Sequence, residues 1–531
     1  MAKISLEWAA MAVLPLYLAA TLLIGRAASR RHASANDFLN ASRSLPLWIV
    51  VAAFISANCG ALEIVGISAV AAQYGVQAFH FYWIGAIPGM VFLSGVIIPI
   101  YMRSGVRSLP EYLEQRFDAR IRSVNAWLTL VMGTALSGIG LYAMAEVLHV
   151  IFGYSFWGSA LLAATVVLIY VLSGGIRATI YNEVLQLGVI ALGLLPLLWL
   201  RTNRFHSAPN LSGSHWHLWT STPALSPQAN LDGFGIVVGL GFVLSFSYWC
   251  TDFVLIQRAL AARSVEAARM VPLLAGLGKL VFSILVVVPS LGAAAYLGHR
   301  MPAASTQTFD QTLPTLMKAS YNPAVLWLGL TAISASLMTG LAANVSAFSA
   351  VWTGEIYRSS LRRGAPEAHY ILVGRISIFA AILLSIATSC IAFYFKDMME
   401  YVQLIFSLCG APFFGVFVLG VFTRRATARG ALMGLLAGLA LSFLHHAMVA
   451  ANWIHYGSLM GANFYVATYA FAASFAIGLA TSRPAGRKSE AQLAVLVYSF
   501  RADILAPTSL TWWLLASALL IACGVLNFIW R

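Results

Sequence analysis

Apolar runs long enough to cross a bilayer recur along the whole chain, and two of them are interrupted by polar residues. A membrane-spanning helix needs about 20 mostly apolar residues, because no backbone N–H or C=O is left unpaired in lipid. Such runs lie near residues 6–25, 46–72, 78–102, 124–152, 156–173, 181–201, 233–257, 270–298, 322–357, 370–395, 399–422, 428–450, 461–482 and 510–529. The pattern predicts an all-α polytopic membrane protein with fourteen transmembrane helices. With 60% hydrophobic and 9% charged residues, the 531-residue chain leaves no large soluble domain to hold a nucleotide site.

The formal net charge of +14 does not point to nucleic acid, because the basic residues are spread over short loops and form no single soluble face. Loops at 26–45, 103–123, 174–180, 258–269, 358–369, 423–429 and 483–509, with Arg375, carry 24 of the 32 Lys and Arg. Seven lie on the opposite side, Lys279 aside. The asymmetry predicts that the basic side is cytoplasmic, in the plasma (inner) membrane, with both termini outside. RAASRR follows the first run without a small-residue cleavage site, so that run reads as a retained helix, not a removed signal peptide.

All five cysteines fall within apolar runs and suggest neither a disulfide framework nor a zinc site. His215 and His217 in the outer loop, and His445 with His446, read as loop and interfacial residues, not metal ligands. No P-loop, GxSxG or HExxH is present, which argues against an ATP-driven pump or a hydrolase and predicts a protein that is not an enzyme and has no organic cofactor. The chemistry must lie between the helices.

Charges at membrane depth are costly and usually functional. They are Glu63, Glu146, Glu183, Asp252 and Lys279. Around Glu63 the run SANCGALEIVG, residues 56–66, is a poor helix interior, since Gly costs about 1 kcal/mol relative to Ala and Asn prefers local bonding. SFSYWCTDF, residues 245–253, is a second polar interruption five helices later. Paired broken helices of this kind fit an inverted-repeat transporter that holds a solute and an ion near the midplane. Lys279 lies about nine residues from its helix end, roughly 14 Å deep at 1.5 Å per residue, too deep to snorkel, so Glu63 is its natural partner.

Four stretches resemble the solute:sodium symporters: FLNASRSLPLWIVVAAFISANCGALEIVGIS (38–68), RSLPEYLEQRFDARIRSVNA (107–126), YVLSGGIRATIYNEVLQ (170–186) and FSYWCTDFVLIQRALAARS (246–264). The resemblance covers roughly residues 5–430. It implies the leucine-transporter fold, with ten core helices in two inverted five-helix repeats. Residues 1–45 would hold one extra helix and a first loop, 46–201 and 233–422 the two repeats of the 46–422 core, and 423–531 three further helices. It also implies symport of a small polar solute with sodium.

Residue by residue, the resemblance puts a sodium site at the carbonyls of Ser56 and Cys59, facing Ser336, Thr339 and Gly340. Gly340 stands where the family usually carries a hydroxyl, so either a water replaces that oxygen or the ion differs. Glu183 matches an acidic residue on the ion's exit path, with pairing to Arg177 as its structural alternative. The galactose-type sugar symporters are the branch most alike, which assigns Asn58, Glu63, Tyr82, Ser245, Tyr248, Lys279 and Gln403 to the solute cavity, with Tyr248 as inner gate. Glu63 and Tyr82 depart from that branch, which carries an amide and a carboxylate there.

No Arg lies at membrane depth to clamp a carboxylate, which favours a neutral solute, most simply a sugar. The expected partners are therefore a small-molecule solute, the sodium ion and the lipid bilayer, with no nucleic acid. A proton-coupled symporter using Glu63 or Asp252, and a transport-inactive solute sensor, are the alternatives.

Overall fold

The computed structural model describes residues 12–29, 45–60, 62–106, 108–173, 176–204, 213–219, 231–297, 309–483, 486–500, 503 and 509–531. Its elements are helices throughout, and among the described residues the one β-type pairing is an isolated bridge between Leu45 and Ala262. In chain order they are α1 (Val13–Ser29), α2 (Leu47–Asn58), α3 (Leu62–Phe79), α4 (Phe81–Ser104), α5 (Leu109–Arg116), α6 (Ala119–Phe152), α7 (Phe156–Ser173) and α8 (Ile176–Arg204). The second half begins with α9 (Gly235–Thr251), α10 (Phe253–Ala259), α11 (Val265–Leu297), α12 (Thr312–Ser320), α13 (Pro323–Leu361) and α14 (Glu367–Tyr394). It ends with α15 (Met398–Phe422), α16 (Ala428–Ala450), α17 (Leu459–Ala480), α18 (Glu490–Leu496) and α19 (Leu510–Ile529).

Each apolar run coincides with a helix or a broken pair, but the count of fourteen crossings does not follow from length alone. Among the described residues eleven helices are long and apolar enough to cross, and the bent pair α9–α10 makes a twelfth. The apolar stretches of α1, α2 and α7 are shorter than the 18-residue span such a crossing requires.

Helix ends are set by side chains that satisfy the first free N–H groups. Ser108, Asp118, Asn322, Asp397, Thr427, Ser458 and Ser509 each accept from a backbone N–H of the helix they start. Where helices meet in lipid, small residues let backbones touch. A Cβ on Gly434 would stand 2.3 Å from the Ser474 carbonyl oxygen, and one on Gly438 would stand 2.8 Å from that of Ala470, so α16 and α17 are packed through glycines.

The charged loop motif LPEYLEQRF has a specific structural task. Buried Arg116 donates to the carbonyls of Gly420 (2.9 Å), Thr423 (2.6 Å) and Ala426 (3.1 Å), closing the C-terminal end of α15. Burial lowers its pKa from the usual arginine range, offset in part by Tyr112. Arg122 nearby bridges Glu114 (2.5 Å) and Glu355 (2.8 Å), joining α6 to the end of α13.

Candidate functional site

The interruption at residues 56–66 is a true break. Helix α2 ends at Asn58, where the Cys59 N–H bonds back to the Ile55 and Ser56 carbonyls at 3.0 Å, and the chain re-enters a helix at Leu62. Gly60 sits in the gap because a larger residue does not fit easily: its Cβ would lie 3.3 Å from the Gly340 Cα on α13. The break therefore rests directly against the helix segment that carries Ser336, Thr339 and Gly340.

The second break falls at Asp252, where α9 and α10 bend by 58°. Asp252 is extended (φ −66°, ψ 122°), and its carboxylate accepts from the Leu255 N–H at 3.0 Å, capping α10. A polar residue at the kink thus has a local structural role as well as a place on the cavity wall.

Between the two breaks lies a cavity of about 140 Å³. Of the expected solute residues, Asn58, Glu63, Tyr82, Ser245, Tyr248 and Gln403 line it. Lys279 stands directly behind Glu63, with Nζ 2.7 Å from Oε2. The lysine is fully buried and the Glu63 side chain is 10% exposed. The ammonium also lies over the rings of Trp249 (5.8 Å) and Tyr82 (5.9 Å), positions where a cation is attracted by the aromatic face. Lys279 thus offsets the Glu63 charge, while Asp252, the other carboxylate on the wall, is held by the Leu255 N–H. Three buried polar groups on its wall, Asn58 Oδ1, Glu63 Oε1 and the Tyr82 hydroxyl beside Glu63, have no hydrogen bond of normal geometry among the described residues.

Asn58 Nδ2 donates to the Tyr248 hydroxyl at 2.6 Å, tying the two broken helices together. Next to Tyr248 lies a second space of about 50 Å³, walled by Asn125, Thr129 and Thr251, with Leu136, Tyr248, Asp252, Val254, Asn344 and Phe406 shared between the two. Tyr248 is thus one of the side chains at the boundary between the two spaces.

Of the expected ion residues, Ser336 and Gly340 meet the break, whereas the Thr339 hydroxyl is engaged within α13 and towards α8. Buried Ser336 donates its hydroxyl hydrogen to the Cys59 carbonyl at 2.5 Å, and Thr339 donates to the Ala335 carbonyl (2.7 Å) and lies 2.5 Å from Gln186 Oε1. The Gln186 amide in turn reaches the Tyr17 hydroxyl at 2.9 Å. Ser336 stands one helical turn before Gly340, so its oxygen faces the break from the same side of α13.

Glu183 is fully buried, and its partner among the described side chains is Arg258 of α10. Arg258 Nη2 stands 2.5 Å from Oε1, and its Nε lies 3.2 Å from both carboxylate oxygens. The side chain of Arg177 lies outside the described residues. Glu146 is not in the cavity; it accepts from Gln311 at 2.8 Å beside the buried carboxylates of Asp310 and Asp397. Burial, then Glu400, pushes Asp397 up to about 7. His445 and His446 bond to Tyr456 (3.0 Å) and Ser407 (2.9 Å). Among the described residues no group of three His, Cys, Asp or Glu is placed to hold a metal ion, and those residues include His215 and His217.

Sequence reasoning missed Trp249, Gln186, Asn344 and Arg258. The first, second and last stand inside the quoted motifs FSYWCTDFVLIQR and YNEVLQ, so their neighbourhood was visible although their partners, far away in sequence, were not.

The profile of the Sodium:solute symporter family matches residues 38–438. A sodium/glucose cotransporter of Vibrio parahaemolyticus is 25% identical over 457 residues, covering 80% of this chain and 83% of the relative. Sodium/glucose cotransporter 1 of Ovis aries is 26% identical over 474 residues, covering 81% and 70%. Among solved structures, the substrate-bound outward-open state of a Na+-coupled sialic acid symporter superposes with a TM-score of 0.73 at 19% identity, covering 90% of this chain and 97% of that one. A nucleobase-cation-symport-1 family transporter in a closed conformation gives 0.52 at 12% identity, covering 88% and 99%. The likeness shows an all-helical fold of the leucine-transporter class, and these neighbours are transporters, not enzymes. With the broken helices, the buried ion pair and a profile match spanning most of its length, the chain is an integral, multi-pass membrane protein that belongs to the sodium:solute symporter family.

Proposed function

We propose that the protein couples sodium entry to the uptake of a small neutral polyhydroxylated solute, most simply a sugar, by alternating access. The observation that carries this reading is the Glu63 carboxylate on the cavity wall, offset from behind by Lys279, with Glu63 Oε1 and Asn58 Oδ1 left as acceptors. A solute rich in hydroxyl donors satisfies both acceptors, while Tyr82, Trp249 and Tyr248 offer ring faces to its C–H surface. An anionic solute would find no compensating partner, because Lys279 is already paired with Glu63, and Asp252, the other carboxylate on the wall, is held by the Leu255 N–H.

Sodium is the co-transported cargo. Hard oxygen ligands suit it, and the Ser56 and Cys59 carbonyls with the Ser336 and Thr339 hydroxyls provide them at the break. The Ser336 hydroxyl supplies the oxygen that Gly340 lacks: its hydrogen points at the Cys59 carbonyl, which leaves its lone pairs for the ion. Bound there, the ion joins α2 to α13 and braces the segment that presents Asn58 and Glu63. Solute and ion thus share one element, and each favours the arrangement the other needs. On the inner side Tyr248 holds the solute while its bond to Asn58 is intact, and the Glu183–Arg258 pair ties α8 to α10 across the ion's way out.

In this reading residues 46–201 and 233–422 are the two repeats, the termini lie outside and the basic loops face the cytoplasm. The test is uptake into proteoliposomes of a radiolabelled panel containing hexoses, polyols, amino acids and carboxylates, with and without a sodium gradient. Accumulation of a hexose or polyol only with the gradient supports the proposal. Selective accumulation of a carboxylate or an amino acid overturns the solute assignment.

A further inference from the structure

Behind the solute cavity, between α1, α6, α7 and α13, lies a separate crevice of about 160 Å³. Its wall is apolar with one exception, Ser334. That serine is 2% exposed, and its hydroxyl has no hydrogen-bond partner among the described residues. A helical hydroxyl in an apolar setting ordinarily bonds back to the carbonyl one turn earlier, as Thr331 does to Trp327 at 2.8 Å. Ser334 does not, so its hydroxyl is available to a guest.

The lining excludes several occupants. A water needs two to four polar partners and the crevice offers one hydroxyl; apolar cavities of about 150 Å³ stay dry and bind benzene-sized molecules. A plain hydrocarbon, including a lipid acyl chain, would fill the space but leave Ser334 unpaired. The entrance is from the membrane: Leu162 lines the crevice and is 51% exposed on the outer flank of α7.

We propose that this crevice binds a bilayer-borne apolar molecule of about benzene size carrying a single hydroxyl, such as a simple phenol, whose hydroxyl pairs with Ser334. The site also adjoins the solute cavity. Gly140, Leu337 and Leu341 line both this crevice and the solute cavity, so one layer of residues separates the two. Ser334, Leu337, Met338 and Leu341 form one stripe of α13, the helix that carries Ser336 and Thr339.

The binding test does not depend on the solute's identity. Fluorine NMR of 4-fluorophenol and of fluorobenzene is recorded with the full chain in lipid nanodiscs and with empty nanodiscs. Folding of each variant is checked by monodisperse elution and thermal unfolding. The expected result is a saturable bound signal found only with protein and lost in Ala163→Phe, which fills the crevice from α7. Ser334→Ala, which removes one oxygen and no packing volume of note, weakens 4-fluorophenol roughly fivefold, the scale of one neutral hydrogen bond, and leaves fluorobenzene unchanged. A signal equal to that of empty nanodiscs overturns the site, as does one that survives in folded Ala163→Phe. Equal 4-fluorophenol affinity in Ser334→Ala and unmutated protein overturns the hydroxyl pairing.

Discussion

Replacing Lys279 with methionine keeps most of the side chain's bulk and deletes its charge. The ammonium is fully buried, 2.7 Å from a carboxylate that is itself 10% exposed, so Lys279→Met strands Glu63 with no cation against it. Breaking one side of such a pair costs about 3–5 kcal/mol. That is a large part of the 5–15 kcal/mol by which folded domains are typically stable. Restoring neutrality with Glu63→Gln in the same chain removes the stranded charge, so the double variant recovers most of the lost stability. It does not recover solute affinity: losing a charged hydrogen bond costs about 1.5–3 kcal/mol, a weakening of roughly 10- to 150-fold. Thermal unfolding of the purified variants in one detergent, with equilibrium binding of the solute found by the uptake panel, reads both effects. Unfolding of Lys279→Met at the unmutated temperature, or a double variant no more stable than the single one, would show that the pair is not a buried charge couple.

Three further outcomes follow from the same geometry. Ser336→Ala and Thr339→Ala each raise the sodium concentration for half-maximal uptake, by roughly tenfold for the loss of one ion-directed oxygen; unchanged sodium dependence in both places the ion elsewhere. Tyr248→Phe removes the 2.6 Å bond to Asn58, worth about 1 kcal/mol net, and speeds solute exchange across the inner side about fivefold, read by counterflow. Asp397 has its pKa raised by burial and by Glu400 to about 7, so its protonated form favours the folded state. Its contribution to stability is present below the usual carboxylate range and is lost as pH rises towards about 7. Asp397→Asn keeps an oxygen to accept from the Glu400 N–H and flattens that slope of melting temperature against pH; an unaltered slope assigns it to other groups.

The parts of this architecture governed by local physics were legible in the chain. Lipid permits only internally bonded backbone, so apolar runs became helices, and the Gly60 and Asp252 interruptions became breaks. The Glu63–Lys279 pairing was legible because a lysine too deep to snorkel needs an intramembrane carboxylate. Partners set by helix packing were not. Glu183 meets Arg258, 75 positions away, and Arg116 caps the end of α15 more than 300 positions on, contacts that no spacing encodes. Asp252 looked like a free intramembrane charge, yet it caps α10, because a helix restarted inside the membrane needs an acceptor for its first N–H groups. The number of crossings was the least legible quantity, since α1 and α7 fall short in length and only their place among other helices argues for them, while α2 is the first part of a run that α3 continues.

If solute movement is tied to sodium, solute must carry charge across the membrane with it, and that charge can be recorded. Proteoliposomes adsorbed on a solid-supported membrane receive a solute jump in sodium buffer and in choline buffer, each at two pH values. The account predicts a solute-evoked inward positive current in sodium, little affected by pH and absent in choline. A current of equal size in choline that grows as the outside is acidified would contradict it, and would move the coupling role from the Ser336–Thr339 site to a proton carried by Glu63.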